Sequence, residues 1–338
     1  MKYTEKDFKS DQEVRWCPGC GDRAILVALE KALPEVAEEL HYNKEQFVCI
    51  SGIGCSSRAP YYVDTFGFHS IHGRATAIST GVKVAHPGLS VWQFTGDGDA
   101  LAIGGNHFIH AIRRNIDINI ILFNNRIYGL TKGQYSPTSK LGMVTKTSPY
   151  GTIEYPFEPG ALVMGARGTF FARSIDNDIK LTKEIFVQSA KHNGTSVTEM
   201  LVNCMIFNNG THKIITDRSV REDRTIVLRD GEPMIFGKNR DKGLVLDGMK
   251  LKVVTIGENG VTKDDILIHD AHTRSVGLHS LLIDMKYPKY PVALGVIRDV
   301  DDNTYNKNAM AQLNEVKAKA KIHSVDQLLH SGSTWEVK

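Results

Sequence analysis

Residues 90–125 read SVWQFTGDGDALAIGGNHFIHAIRRNIDINIILFNN, and their pattern decides the fold class. Ser90 to Thr95 and Ile118 to Phe123 are short runs rich in β-branched and aromatic residues. Between them, Leu101 to Asn115 carries Ile103, Phe108, Ile109 and Ile112 at the spacing of one buried helical face. Strand, helix, strand is a βαβ unit with parallel strands. Gly96-Asp97-Gly98 and Asn124-Asn125 then fall at the carboxyl ends of adjacent strands, where open α/β sheets take their ligands. Asp97 offers a hard carboxylate oxygen and Asn125 a hard amide oxygen, the donors that Mg²⁺ or Ca²⁺ takes while phosphate oxygens complete its shell. The flanking glycines let backbone N–H groups approach those phosphates, and the following helix N-terminus favours their charge. A dinucleotide-binding G-x-G-x-x-G is excluded by Leu101 at the third glycine position, and no P-loop Gly-Lys-Ser/Thr is present.

Outward from this unit, the same alternation runs from about residue 46 to 204. Further strands are predicted at Phe47 to Ser51, Gly168 to Ile175 and Ser196 to Val202, with a second helix at Asp178 to His192. The expected architecture is α/β, a doubly wound, mostly parallel sheet in residues 1–205. Residues 206–338 are expected to be a C-terminal extension packed on the same core, with Gly/Asp-rich hairpin-like segments, a strand at Val292 to Ile297 and a helix around Ala309 to Ala320. The chain has 338 residues, 41% of them hydrophobic and 23% charged, which suits an ordinary globular protein. Basic residues exceed acidic ones by only three and are interspersed, so no nucleic-acid face is expected. The polar start MKYTEKDFKSDQEV lacks a signal-peptide core, and no apolar run approaches the ~18 residues of a membrane span. A cytoplasmic location is the expectation.

In such a compartment the five cysteines are free for metal binding or catalysis. Cys17-Pro18-Gly19-Cys20 puts two thiols in one tight turn. Cys55 lies in the loop GIGCSSR after a predicted strand, and Cys204 follows another. These four can meet at one edge of the sheet, and four thiolates suit either structural Zn²⁺ or a [4Fe–4S] cluster. Two single, distant thiols in place of a second C-x-x-C favour the cluster. Cys49, within VCIS, reads as a small core hydrophobe.

The GDG and NN motifs enclose 25 residues from Asp99 to Phe123, a spacing that resembles the thiamine-diphosphate signature. Joined to CPGCGD, GIGCSSR, HSIHGRATAISTG, NNRIYGLTKGQYSPTS and VNC in this order, it resembles the β subunits of 2-oxoacid:ferredoxin oxidoreductases across most of residues 14–206. PYYVDTFGFHSIHGR, IHDAHTRSVG and PVALGVIRDVDDNTYN look more like the 2-oxoglutarate branch than the pyruvate branch.

The resemblance implies a thiamine-diphosphate-binding fold. Mg²⁺ would be held by Asp97, Asn125 and the main-chain carbonyl of Ile127. One [4Fe–4S] cluster would sit on Cys17, Cys20, Cys55 and Cys204, which decides against zinc. The thiamine would be lined by Gly54, Cys55, Ser56, His72, Gly96, Gly98, Asp99, Gly129 and Leu130. The implied reaction is decarboxylation of 2-oxoglutarate and stepwise oxidation of what remains, with coenzyme A taking the succinyl group and ferredoxin the electrons. The Glu that activates thiamine comes in this family from a separate α subunit, so the chain alone is expected to be inactive and to work as an αβ or α₂β₂ assembly. His72 is a candidate for proton transfer or substrate binding, against a plain hydrogen-bonded loop histidine. Arg58 and Lys132 are candidate cations for the distal carboxylate of the substrate or a coenzyme A phosphate, against solvated surface charges. Ser136-Pro137-Thr138 is expected to close over the same site, with no nucleophile. Rival readings are the same chemistry on pyruvate or another 2-oxoacid, a non-redox thiamine carboligase or decarboxylase, and a silent metal-binding scaffold.

Overall fold

Each predicted βαβ strand folds as a strand in the computed structural model, which describes residues 2–337. In chain order these are β1 (Phe47–Ser51), β2 (Phe66–His69), β3 (Ser90–Gly96), β4 (Asn119–Asn124), β5 (Phe170–Ile175), β6 (Ser196–Leu201) and β7 (Thr225–Leu228). β8 (Ile235–Phe236), β9 (Lys242–Asp247) and β10 (Lys250–Thr255) form a separate three-stranded antiparallel sheet, and β11 (Val292–Asp299) returns to the main one. The eight-stranded sheet runs β2-β1-β3-β4-β6-β5-β11-β7, and every neighbouring pair is parallel except β5 with β11.

Alternation along the central strands explains why helices cover both faces. Val91, Ile120, Leu122 and Val197 enter one core, while Trp92, Phe94, Ile121, Phe123 and Met200 enter the other. Over the first lie the helices Ala75–Ala85, Gly105–Arg114, Pro159–Gly165 and Gly277–Ile283. Over the second, Asp22–Glu39 and Ile179–Lys191 pack side by side and are bridged by the ion pairs Lys183–Glu35 and Lys191–Glu39.

Some elements differ from expectation for identifiable reasons. The crossover helix does not run unbroken from Leu101: Asp99–Ile103 is a wider π-helical turn, and the α-helix starts at Gly105. Gly104 marks the break, since a Cβ there would stand 2.3 Å from the Asp99 carbonyl oxygen. The helix Asp22–Glu39 and the edge strand β2 add to the expected set. β2 is exposed along most of its length, and Gly67 admits the Cys49 carbonyl oxygen to 2.5 Å from where a Cβ would lie. Beyond residue 205, β7 and β11 join the main sheet, the helix expected around Ala309 to Ala320 spans Tyr305–Lys319, capped by Thr304, and a short helix, Val325–Leu329, follows it.

Candidate active site

The register of β3 against β4 pairs Gly96 with Phe123, so Asp97 and Asn125 emerge side by side at the carboxyl end of the sheet. A cavity of about 550 Å³ opens there. Of the residues expected around a cofactor, Gly54, Cys55, Ser56, His72, Gly96, Asp97, Gly98, Asp99, Asn125, Ile127, Gly129 and Leu130 all line it.

Asp97 is 2% exposed, and its Oδ2 accepts hydrogen bonds from the hydroxyls of Ser136 (2.5 Å) and Thr138. Burial raises its pKa, and these two hydroxyls act in the opposite direction. A buried carboxylate whose partners are neutral hydroxyls is a natural seat for a cation. Asn125 Oδ1 accepts from the Ile127 N–H (3.1 Å), and Asn208 donates to the Asn125 carbonyl (2.9 Å), which fixes the loop on the far side. The Ser136-Pro137-Thr138 segment thus closes over Asp97 itself, the expected metal ligand.

The cavity floor is shaped for phosphate oxygens. A Cβ at Gly96 or Gly54 would meet only Ser56 Oγ, at 3.5 and 3.9 Å. That hydroxyl is buried and has no hydrogen-bond partner. Open glycine walls around an unpaired donor fit a diphosphate group. Gly98 is glycine for a different reason: a Cβ there would stand 2.1 Å from Tyr128 Cε1.

Asp99 turns its carboxylate to the protein. Oδ1 accepts from Ile53 N–H (3.1 Å), Gly73 N–H (2.6 Å) and His72 Nδ1 (2.8 Å), and Oδ2 from the Thr95 hydroxyl (2.7 Å). It therefore ties two loops, that of Ile53 and that of His72-Gly73, to β3, and it orients His72 with the proton on Nδ1, leaving Nε2 as an acceptor. The two expected cations stand just outside the cavity lining. Arg58 is half-buried beside Cys55, whose thiolate it favours, and Lys132 is exposed in a tight turn with φ +76°. Neither lines the cavity.

Cys17, Cys20, Cys55 and Cys204 gather at the same end of the sheet. Trp16 Nε1 donates to the Cys55 carbonyl (2.7 Å), joining the CPGC turn to the GIGC loop, and Gly21 N–H donates to the Asn203 carbonyl (3.3 Å), joining it to the Cys204 loop. The left-handed φ of Gly19 (+76°) makes the turn between the first two thiols. Burial, then the charges of Asp22 and Cys204, push Cys55 up to about 12. Burial also raises Cys20, with Asp22, Cys55 and Cys204 adding to it. Cys49 stands apart in the core, approached by the Thr65 hydroxyl at 3.3 Å, as its sequence context implied.

Several site residues were not anticipated. Tyr128 lines the cavity and donates to the Gly98 carbonyl (3.2 Å), with its hydroxyl raised to about 12 by burial and by Asp97 and Asp99. Asp22, the last residue of CPGCGD, reaches the cavity with a carboxyl that burial pushes up to about 7. Behind the site, the buried Arg173–Glu199 pair (2.7 Å) receives the Asn124 amide on Glu199 (2.7 Å). Only the position of Asp22 next to the cysteine turn was a signal in the sequence.

Comparison with known proteins agrees with this geometry. Residues 52–200 match the family model for the C-terminal TPP-binding domain of thiamine pyrophosphate enzymes. The chain is 47% identical to the 2-oxoglutarate oxidoreductase subunit KorB of Mycobacterium tuberculosis over 335 residues, 98% of this chain and 88% of that one. It is 42% identical over 189 residues to the 2-oxoglutarate synthase subunit KorB of Archaeoglobus fulgidus, 56% of this chain and 69% of that one. Among solved structures it is similar to a 2-oxoglutarate:ferredoxin oxidoreductase from Magnetococcus marinus with 2-oxoglutarate, coenzyme A and succinyl-CoA bound. The TM-score is 0.75 at 30% identity, covering 98% of this chain and 97% of that one. With a thiamine-diphosphate cavity at the carboxyl end of its sheet and these relatives along nearly its whole length, the chain belongs to the family of thiamine-diphosphate-binding β subunits of 2-oxoacid:ferredoxin oxidoreductases.

Proposed function

We propose that this chain, joined to an α subunit, oxidatively decarboxylates 2-oxoglutarate with coenzyme A to succinyl-CoA and CO₂ and passes the electrons to ferredoxin. Asp97, Asn125 and the Ile127 carbonyl hold Mg²⁺ against the diphosphate of thiamine, and Cys17, Cys20, Cys55 and Cys204 hold one [4Fe–4S] cluster. The bound groups supply decarboxylation at the thiamine ring and one-electron acceptance at the cluster. The observation that carries the reading is that Cys55 and Gly129 belong to both sites. Both line the cofactor cavity, and a Cβ on Gly129 would lie 3.4 Å from Cys55 Sγ and 3.6 Å from Cys204 Sγ. A cluster held by these thiols would adjoin the cofactor cavity and could accept electrons there. Among the described residues no group of His, Cys, Asp and Glu converges on a point that holds a single metal ion.

The remaining residues have assigned tasks. His72 Nε2 accepts or returns a proton, while Asp99 keeps the ring oriented. Arg58 offsets the negative charge of the thiolates. Lys132, on the turn beside the cavity mouth, meets the distal carboxylate of the substrate or a phosphate of coenzyme A, and Leu130 forms the apolar wall next to it. The activating Glu is supplied by the partner subunit in this reading, as the family resemblance implies, while the carboxylates that line this cavity are Asp22, Asp97 and Asp99. The assembly is a heterodimer or α₂β₂. A reducing cytoplasm suits its free thiols, and no helix of the described residues is long and apolar enough to cross a membrane.

The test is anaerobic co-expression with the α subunit, followed by an assay of 2-oxoglutarate- and coenzyme A-dependent ferredoxin reduction. Activity lost in both Asp97→Ala and Cys17→Ser supports the cofactor assignments and the substrate. Turnover of pyruvate alone would correct the substrate, and silence with every 2-oxoacid in a brown, assembled complex would overturn the enzyme.

A further inference from the structure

The segment that carries Asn125 has two sides. Phe123, Asn125 and Ile127 line the cofactor cavity, whereas Asn124 and Arg126 line a second recess of about 380 Å³ between this segment and the carboxyl ends of β5 and β6. Its cations are unequal. Arg173 is committed to Glu199 (2.7 Å), and Lys286 to Glu158 (2.5 Å). Arg126 and Lys140 form no ion pair among the described residues; Arg126 adds only to the field that holds the Glu199 carboxyl down.

Arg126 is also held in place. Its backbone is left-handed (φ +56°), and its carbonyl accepts from the Ser139 hydroxyl (2.7 Å) and from the Asn208 amide (3.3 Å). Its Nε is buried with no hydrogen-bond partner. A guanidinium donor fixed in a recess and left unpaired costs free energy unless an acceptor arrives. His212 adds no charge: burial, reinforced by Arg126, pushes it down to about 3, and its Nε2 faces the Asn124 carbonyl (2.9 Å). At the mouth, Tyr155 is 86% exposed and Tyr287 36%.

We propose that this recess is a second anion site, binding the phosphate monoester dianion of a small metabolite on Arg126 and Lys140, with the body of the molecule against the aromatic mouth. Two unpaired cations match the charge of such a dianion, and a forked guanidinium matches its oxygens. The recess opens on the opposite side of the Asn125 segment from the thiamine cavity, so cofactor and anion are held by different residues.

Isothermal titration of the cofactor-loaded complex with its partner subunit tests this, using inorganic phosphate and phenyl phosphate as probes. One site per chain is expected, tighter for phenyl phosphate. Each of Arg126→Gln and Lys140→Gln should weaken it about tenfold or more, the scale of one charge-assisted hydrogen bond. Saturating coenzyme A should leave phosphate binding unchanged, because Lys132, the cation proposed for a phosphate of that cosubstrate, does not line this recess. No binding at millimolar phosphate, equal binding in both variants, or displacement by coenzyme A would overturn the proposal. Lys140 is exposed, so its variant reports on the site without a folding defect.

Discussion

Asp99→Asn keeps the shape of the side chain and removes its charge from a position that is 2% exposed. The carboxylate accepts three hydrogen bonds on Oδ1, from Ile53, Gly73 and His72, and one on Oδ2 from Thr95. Asparagine can place its amide nitrogen toward the Thr95 hydroxyl, which then accepts, and its oxygen toward the other three donors. Those three bonds fall from charge-assisted to neutral strength, a loss of about 1 kcal/mol each, or about 3 kcal/mol in total. Urea unfolding should register that loss. Because Ile53 and His72 line the cavity, affinity for Mg²⁺-thiamine diphosphate should drop about tenfold or more in a titration. Gly52→Ala attacks the same carboxylate from outside, since its Cβ would lie 2.0 Å from Asp99 Oδ2. If Asp99→Asn unfolds within about 0.5 kcal/mol of the parent and binds cofactor as tightly, the carboxylate is not what ties the two loops to β3.

Arg173→Met leaves Glu199 buried and uncompensated, with the two side chains at 6% and 3% exposure, and should cost about 3–5 kcal/mol in urea unfolding. Adding Glu199→Leu should recover most of that loss. Burial pushes Glu30 up to about 7 from an ordinary 4.5, partly countered by Lys9. The folded value lies above the unfolded one, so the stability present below about pH 4.5 is lost as pH rises through 7. Glu30→Gln should therefore raise the melting temperature at pH 8 and leave it unchanged at pH 4, as read by calorimetry. Cys49→Ala should cost about 1–2 kcal/mol of packing and keep the brown chromophore, while Cys20→Ser and Cys55→Ser should bleach it. Bleaching by Cys49→Ala would show that the core thiol is a ligand after all.

Local pattern was sufficient for the parallel sheet and for the two polar motifs at its end. β-branched runs from Phe47, Ser90 and Ser196 can bury both faces only between layers of helix, and GDG and NN sit where such strands stop. The four cysteines were legible as a set for the same reason, because the first two flank a Pro-Gly turn and each of the others follows a strand. Beyond this, tertiary structure decided what the residues do. Asp99 reads as a cofactor residue from its place in GDGD, yet two distant loops converge to claim its oxygens. Thr138 reaches Asp97 across 41 residues, Asn124 reaches Glu199 across 75, and Asn203 meets Gly21 through the backbone. Hydrogen bonds of that range leave no periodicity in the chain. Burial then sets the protonation of Asp22, Cys55 and Tyr128, and burial is a property of the packed layers rather than of neighbours in sequence.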